Sequence, residues 1–240
     1  MPQFPVNSSN VKDNNIIIND KETYHHLTRS LRIKKGEKIK IIDEKETFYI
    51  ARVKNINSKE IEAEITEKYK SFRKLDFELT LAQGILCSDA QNFLIQKATE
   101  LGVTKIIPFL ADNCAVKKEI SEKKIEKWRK IAFEAFKQCE RANVPEIKGV
   151  QELKNIDFSE YDKVIVCSEI ERKNTLKNCD IKNAEKILLI VGVEGGFSKR
   201  EFEFFKERNF DMISLGNLIL KAETAVISAI STLIYEKENG

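Results

Sequence analysis

The 240-residue chain lacks any apolar run able to cross a bilayer; its longest, Ile187 to Val191, is far too short. Its first residues, MPQFPVNSSN, show no basic region leading into an apolar run, which predicts no secretion signal. Histidine is scarce: only His25 and His26, side by side. Five cysteines are scattered without a CxxC pair. Together these shortages argue against a structural zinc site and predict reduced, buried thiols in a cytoplasmic protein with no metal and no membrane partner. A strong charge of one sign is also missing. The formal net charge is +3, which permits a polyanionic partner without demanding one. Repeats and low-complexity segments are absent as well. What is present suits a globular chain with a real core: 42% hydrophobic and 33% charged residues.

Two rhythms divide the sequence. Over the first seventy or so residues, apolar and polar positions alternate. Glu37 to Ile42, Thr47 to Val53 and Glu60 to Ile65 read as strands joined by polar turns. Asp20 to Leu31 reads as a helix capped by Asp20. This predicts a small β-barrel with a helix at its edge. Beyond Arg73, strands and helices take turns. Strands are predicted at Phe77 to Ala82, Val103 to Phe109, Lys163 to Cys167, Lys186 to Val191 and Met212 to Leu215. Helices are predicted from a Ser88/Gln91 capping box to Leu101, over Glu122 to Ala142, from a Ser198/Glu201 cap, and over Ala222 to Tyr235. In the second of these, Ile125, Trp128, Ala132, Ala135, Phe136 and Cys139 share one face. In the last, Ala225, Ala229, Ile230 and Leu233 are expected inward. Such alternation implies an α/β domain with a mainly parallel sheet. The boundary falls near Lys70 to Lys74, dividing 1–72 from 73–240.

In α/β sheets, ligands sit beyond the C-terminal strand ends. One such end reads VGVEGGFSKRE, Val191 to Glu201, and opens a helix. It contains neither GxxxxGK[ST] nor GxGxxG, which excludes the common phosphate and dinucleotide loops. A plain tight turn would explain the glycines. However, a second strand-end segment, SLGNLILKAETA from Ser214 to Ala225, has the same character, and two such loops can form one pocket.

Together these segments resemble the SPOUT methyltransferases. Within them, the chain is similar to the ribosomal RNA small subunit methyltransferase E family, enzymes that methylate N3 of a uridine in 16S ribosomal RNA. The family's GPEGG-F-S-x-x-E segment reads GVEGGFSKRE here, and its LG-x-x-I-L-R-x-E-T-A segment reads LGNLILKAETA. Its Q-K-A-T-E-L-G-V run stands at Gln96 to Val103, followed by Pro108. Its Q-x-x-R-x-x-V-P pattern falls on Gln138, Arg141, Val144 and Pro145. HHLTRSLRIKKG, His25 to Gly36, stands where the family has H-x-x-x-V-L-R before a basic turn. Two departures from the family pattern matter. Val193 replaces a proline, predicting a small loss of rigidity, and Lys221 replaces an arginine whose planar contacts lysine does not reproduce.

The resemblance implies an N-terminal PUA-like barrel over 1–72 and a SPOUT domain over 73–240 whose parallel sheet carries a trefoil knot. It also implies S-adenosylmethionine as cofactor, 16S ribosomal RNA or the small ribosomal subunit as partner, and a homodimer. Cofactor contacts are expected at Gly192, Glu194, Gly195, Gly196, Ser214, Leu215, Gly216, Leu220 and Thr224. RNA contacts are expected at Arg29, Arg32, Lys34, Lys35 and Arg141. Glu194, Glu223 and Arg141 are the candidates for a catalytic group, each with a plainer alternative. Glu194 reads equally as solvated, Glu223 as a first-turn acid on a helix dipole, and Arg141 as a surface arginine. Lys97 and Glu100 are expected to pair with each other. A SPOUT enzyme acting on a ribose 2′-hydroxyl or a transfer RNA base, and a non-catalytic RNA-binding protein, are the competing readings. The N-terminal barrel and the Gln96 to Val103 segment weigh against the first of these, and the intact loops against the second.

Overall fold

A computed structural model describes residues 2–70, 74–115 and 120–239. They form two units: Met1–Lys74 with Phe136–Asn143, and Leu75–Ala135 with Val144–Gly240. The boundary expected near Lys70 to Lys74 includes residues 71–73, which lie outside the described residues.

The first unit contains β1 (Gln3–Val6), β2 (Val11–Lys12), β3 (Asn15–Ile18), α1 (Lys21–His25), β4 (Lys38–Asp43), β5 (Thr47–Ile56) and β6 (Ile61–Lys70). They build a six-stranded sheet in the order β1-β4-β5-β6-β3-β2. All pairings are antiparallel except β1 with β4. Register shifts at Ile50/Ala51 and Val53/Asn55 curl it. Alternation predicts β4 to β6 and passes over β1 and β3. β1 is short and carries Pro5, tolerated because it is an edge strand. The NIII sequence of β3 does not alternate. Asp20 caps α1 as expected, its Oδ2 accepting from the Thr23 N–H at 2.8 Å. The helix then continues through a π-helical turn, His26–Ser30. His25 stands edge-on to Tyr24 and His26 to Phe4, which are packing roles.

Phe136–Asn143 groups with this unit for identifiable reasons. Fully buried Gln3 donates from Nε2 to the Phe136 and Arg141 carbonyls at 3.1 and 2.8 Å. Lys40 Nζ lies 2.7 Å from Glu140 Oε2 and over the Phe48 ring.

The second unit contains β7 (Glu78–Gly84), α2 (Ser88–Glu100), β8 (Lys105–Leu110), α3 (Glu122–Cys139), β9 (Glu146–Ile147), β10 (Gln151–Glu152), β11 (Lys163–Cys167), β12 (Lys186–Val191), α4 (Lys199–Glu207), β13 (Asp211–Ile213) and α5 (Ala222–Asn239). Its sheet runs β10-β8-β7-β12-β11-β13, with β9 also on β8, and every pairing is parallel. Strands in such a sheet are buried on both faces and read as continuous apolar runs, which is why β11 and β12 are legible to the residue.

Three helix expectations need correction. The Ser88/Gln91 capping box does not form. Cys87 is the cap position and makes no side-chain cap, while buried Gln91 turns back to accept from the Leu86 N–H at 3.0 Å. α3 ends at Cys139 rather than Ala142, because Glu140 takes a left-handed φ of +57°. Along α5 the fully buried line includes Val226, while Ala225 is only half-buried. The apolar face of α3 is as read, with Trp128 fully buried, although Lys137 is buried too. Cys114, Cys167 and Cys179 are buried as expected, but Cys87 is exposed and Cys139 half-buried. Among the described residues, no helix is long and apolar enough to cross a membrane.

Candidate functional site

A cavity of about 290 Å³ opens at the C-terminal ends of β11, β12 and β13. β11 pairs with β12 on one side and β13 on the other, all parallel, so their following loops emerge together. The loops after β12 and β13 are the two glycine segments. Gly192, Glu194, Gly195, Gly196, Ser214, Leu215, Gly216 and Leu220 all line the cavity. Thr224 does not; it is exposed in the first turn of α5, and Ala225 lines the cavity instead.

The glycine turn is fixed from several sides. The Gly196 N–H donates to the Val193 carbonyl at 2.9 Å, and Gly196 has a φ of +66°. Phe197 packs under Gly192 and stands edge-on to buried Phe205, 4.9 Å between centroids. Ser198 and Glu201 form the expected capping box: the Ser198 N–H donates to Glu201 Oε2 at 2.8 Å and the Glu201 N–H to Ser198 Oγ at 3.1 Å. Val193, where the family pattern has proline, is buried against Gly84, whose missing Cβ leaves room for it.

The Ser198 hydroxyl donates to Asp112 Oδ2 at 2.5 Å, and Arg200 pairs with the same carboxylate. These bonds, Ser198 first, hold the Asp112 carboxyl below its ordinary range. A lowered carboxyl adds stability above the unfolded value of about 4, and that increment is lost as pH falls through the native value. Urea titrations between pH 6 and 2.5 should therefore show a steeper acid loss in the wild type than in Asp112→Asn.

A third wall carries no glycine signal. Ser168, Glu169 and Arg172, in the loop after β11, also line the cavity. This loop is organised by Glu171, whose Oε1 accepts from the N–H groups of Arg172, Lys173 and Asn174 at 2.7–3.0 Å, holding that carboxyl low. It is tied to the β13 loop: the Ser214 N–H donates to the Asn174 carbonyl, and Asn174 Nδ2 to the Met212 carbonyl, both at 2.8 Å. β11 is legible in the sequence as a buried parallel strand, but only the sheet order puts its C-terminal end beside that of β12.

The catalytic candidates separate. Glu194 is exposed at the cavity, its Oε1 accepting from the Cys87 N–H at 3.4 Å. Glu223 is half-buried in the first turn of α5, and neither it nor Arg141 lines the cavity. Arg141 belongs to the first unit and is not a surface arginine. It is 7% exposed, donates to Asn143 Oδ1 at 2.8 Å, and burial pushes its guanidinium down to about 10. Arg29, Arg32, Lys34 and Lys35 are all exposed on the first unit. Lys97 and Glu100 pair at 2.8 Å as expected. Lys221 is exposed and does not line the cavity.

The cavity therefore combines backbone polar groups at strand ends, aliphatic faces from Leu215, Leu218, Ile219 and Leu220, two carboxylates and one guanidinium. Apolar faces with a few convergent polar and charged groups are the lining of a small-molecule or cofactor site.

Comparison with known proteins agrees with this chemistry. Residues 73–234 match the model of an RNA methyltransferase domain, and residues 18–66 that of an RNA methyltransferase PUA domain. The chain is 31% identical over 224 residues to ribosomal RNA small subunit methyltransferase E of Aquifex aeolicus, covering 93% of this chain and 95% of that one. It is 33% identical over 230 residues to the protein of that name from Buchnera aphidicola subsp. Schizaphis graminum, covering 92% and 90%. The crystal structure of the Neisseria gonorrhoeae ribosomal RNA small subunit methyltransferase E bound to S-adenosyl methionine superposes with a TM-score of 0.85 at 29% identity, covering 98% of each chain. The protein thus belongs to the ribosomal RNA small subunit methyltransferase E family.

Proposed function

We propose that this protein transfers the methyl group of S-adenosylmethionine to N3 of one uridine in 16S ribosomal RNA. The observation that carries the reading is the convergence of three strand-end loops on one cavity with the donor set described above. When bound, the cofactor supplies a methyl group activated by a sulfonium. The chain's part is to bind and orient. Backbone groups of Gly192–Gly196 and Ser214–Leu220 read a base edge, and Leu215 and Leu220 cover its faces. Glu169 and Arg172 meet the charged amino-acid end. Holding both reactants in place provides most of the acceleration such a transfer needs. Of the catalytic candidates, Glu194 is the one at the cavity, and we assign it to accept the uridine N3 proton.

We further propose that residues 1–72 act as the RNA-binding part and 73–240 as the methyltransferase, and that the protein works in the cytoplasm. The trefoil knot of the latter is proposed on the family resemblance. Leu218 and Ile219 are 80% and 87% exposed at the cavity rim, which favours a homodimer that covers them.

Two measurements test this reading. Calorimetric titration should show saturable binding of S-adenosylmethionine and none of NAD or ATP; binding of ATP or NAD alone would overturn the cofactor assignment. Removing two phosphate contacts with Arg29→Ala/Arg32→Ala should lower the slope of log affinity for 16S RNA against log salt by about 1.5. An unchanged slope would remove the patch from the interface.

A further inference from the structure

Gln83, the penultimate residue of β7, is fully buried. It pairs in register with Val191, the last residue of β12 before the glycine turn. Its Nε2 donates to the Gly192 carbonyl at 2.8 Å and to the Gly84 carbonyl at 2.7 Å. Both partners are acceptors only, so the amide nitrogen must face them. Its Oε1 is buried and meets no hydrogen-bond partner among the described residues. Burying half a carboxamide without a partner is unfavourable. The donor end must therefore justify this residue.

A second carboxamide acts on the same turn from the loop after β8. Asn113 Nδ2 lies 3.1 Å from the Gly195 carbonyl and 3.3 Å from that of Gly196. Three of the turn's carbonyls are thus held by side-chain amides from neighbouring strand ends. The turn carries valine at 193, so no proline ring locks φ there.

We infer that Gln83 and Asn113 are positioning residues that preform the cofactor turn, doing by hydrogen bonding what a proline would do by ring closure. The inference rests on the cofactor reading of the cavity. Neither residue lines that cavity; each acts through the peptide groups that do.

The test is calorimetric titration of the full-length protein with S-adenosylmethionine, alongside RNA affinity and steady-state kinetics. Gln83→Met keeps the length of the side chain and removes the donor. It takes the side-chain donor from both carbonyls, and should weaken cofactor binding about tenfold through the one that belongs to the turn, Gly192. The KM for the cofactor should rise with it, while RNA affinity stays unchanged. Asn113→Ala, at an exposed position, should shift cofactor affinity in the same direction by a few-fold and tests the inference even if Gln83→Met does not fold. Wild-type affinity for cofactor in Asn113→Ala, or equal losses of cofactor and RNA affinity in both variants, would overturn the positioning role. Failure of the wild type itself to bind would instead overturn the cofactor reading, and the inference with it.

Discussion

Replacing Gly196 with alanine should weaken S-adenosylmethionine binding about tenfold, and valine should abolish measurable binding. The backbone at Gly196 has a φ of +66°, in the left-handed region. An alanine there costs about 1–2 kcal/mol, and a β-branched residue more. Space is also lacking. A Cβ at this position would overlap the Glu169 carboxylate oxygen and stand 3.0 Å from its Cδ. The Glu169 side chain can swing away, so the clash alone is tolerable. But its carboxylate belongs to the cavity wall, and moving it changes what the cavity presents. The unliganded variant relieves the strain by reshaping the turn, and binding must then reverse that relief. The thermal midpoint without ligand should fall less than the ligand-induced shift does. Full affinity in Gly196→Ala would show that the turn does not grip the cofactor.

The largest stability effect is expected at Glu201. Its carboxylate is 5% exposed and serves two orphan donors: Oε2 accepts from the Ser198 N–H at 2.8 Å, and Oε1 from the Asp112 N–H at 3.1 Å. One is the reciprocal half of the capping box. The other ties the helix entrance to the loop after β8. Glu201→Ala strands both N–H groups, and we expect a loss of about 2–4 kcal/mol in unfolding free energy, from about 1–2 kcal/mol per buried unpaired group. Glu201→Gln keeps an acceptor for one donor and should lose about half as much. Equilibrium urea denaturation at neutral pH measures both. A loss under 1 kcal/mol in the alanine variant would mean that water replaces the carboxylate.

The sequence made these sites legible to different degrees. β11, β12 and the Ser198–Glu201 box are visible because each leaves a local mark, an apolar run or a spaced pair of polar residues. The same rule misleads at Ser88 and Gln91, where the spacing is present but Gln91 is buried and bonds to Leu86 behind the helix start. Two glycine segments mark two walls of the cavity. The wall from Ser168 to Arg172 leaves no mark, because β11 reaches the site through its place between β12 and β13. Arg141 shows the converse: a motif position identifies the residue, yet only the packing of Phe136–Asn143 into the first unit shows it buried. Thr224 lies off the cavity for helical phase. It stands one residue before Ala225, so when Ala225 faces the cavity Thr224 faces solvent. Gln83 was invisible for a simpler reason: a single glutamine inside a strand carries no pattern until its partner, in sequence remote, is known.

The central claim is most directly tested by nucleoside mass spectrometry of 16S ribosomal RNA from cells lacking this protein. N3-methyluridine should be absent, should return when the wild-type chain is supplied, and should stay absent with Gly196→Val. N3-methyluridine persisting at its full level without the protein would contradict the account.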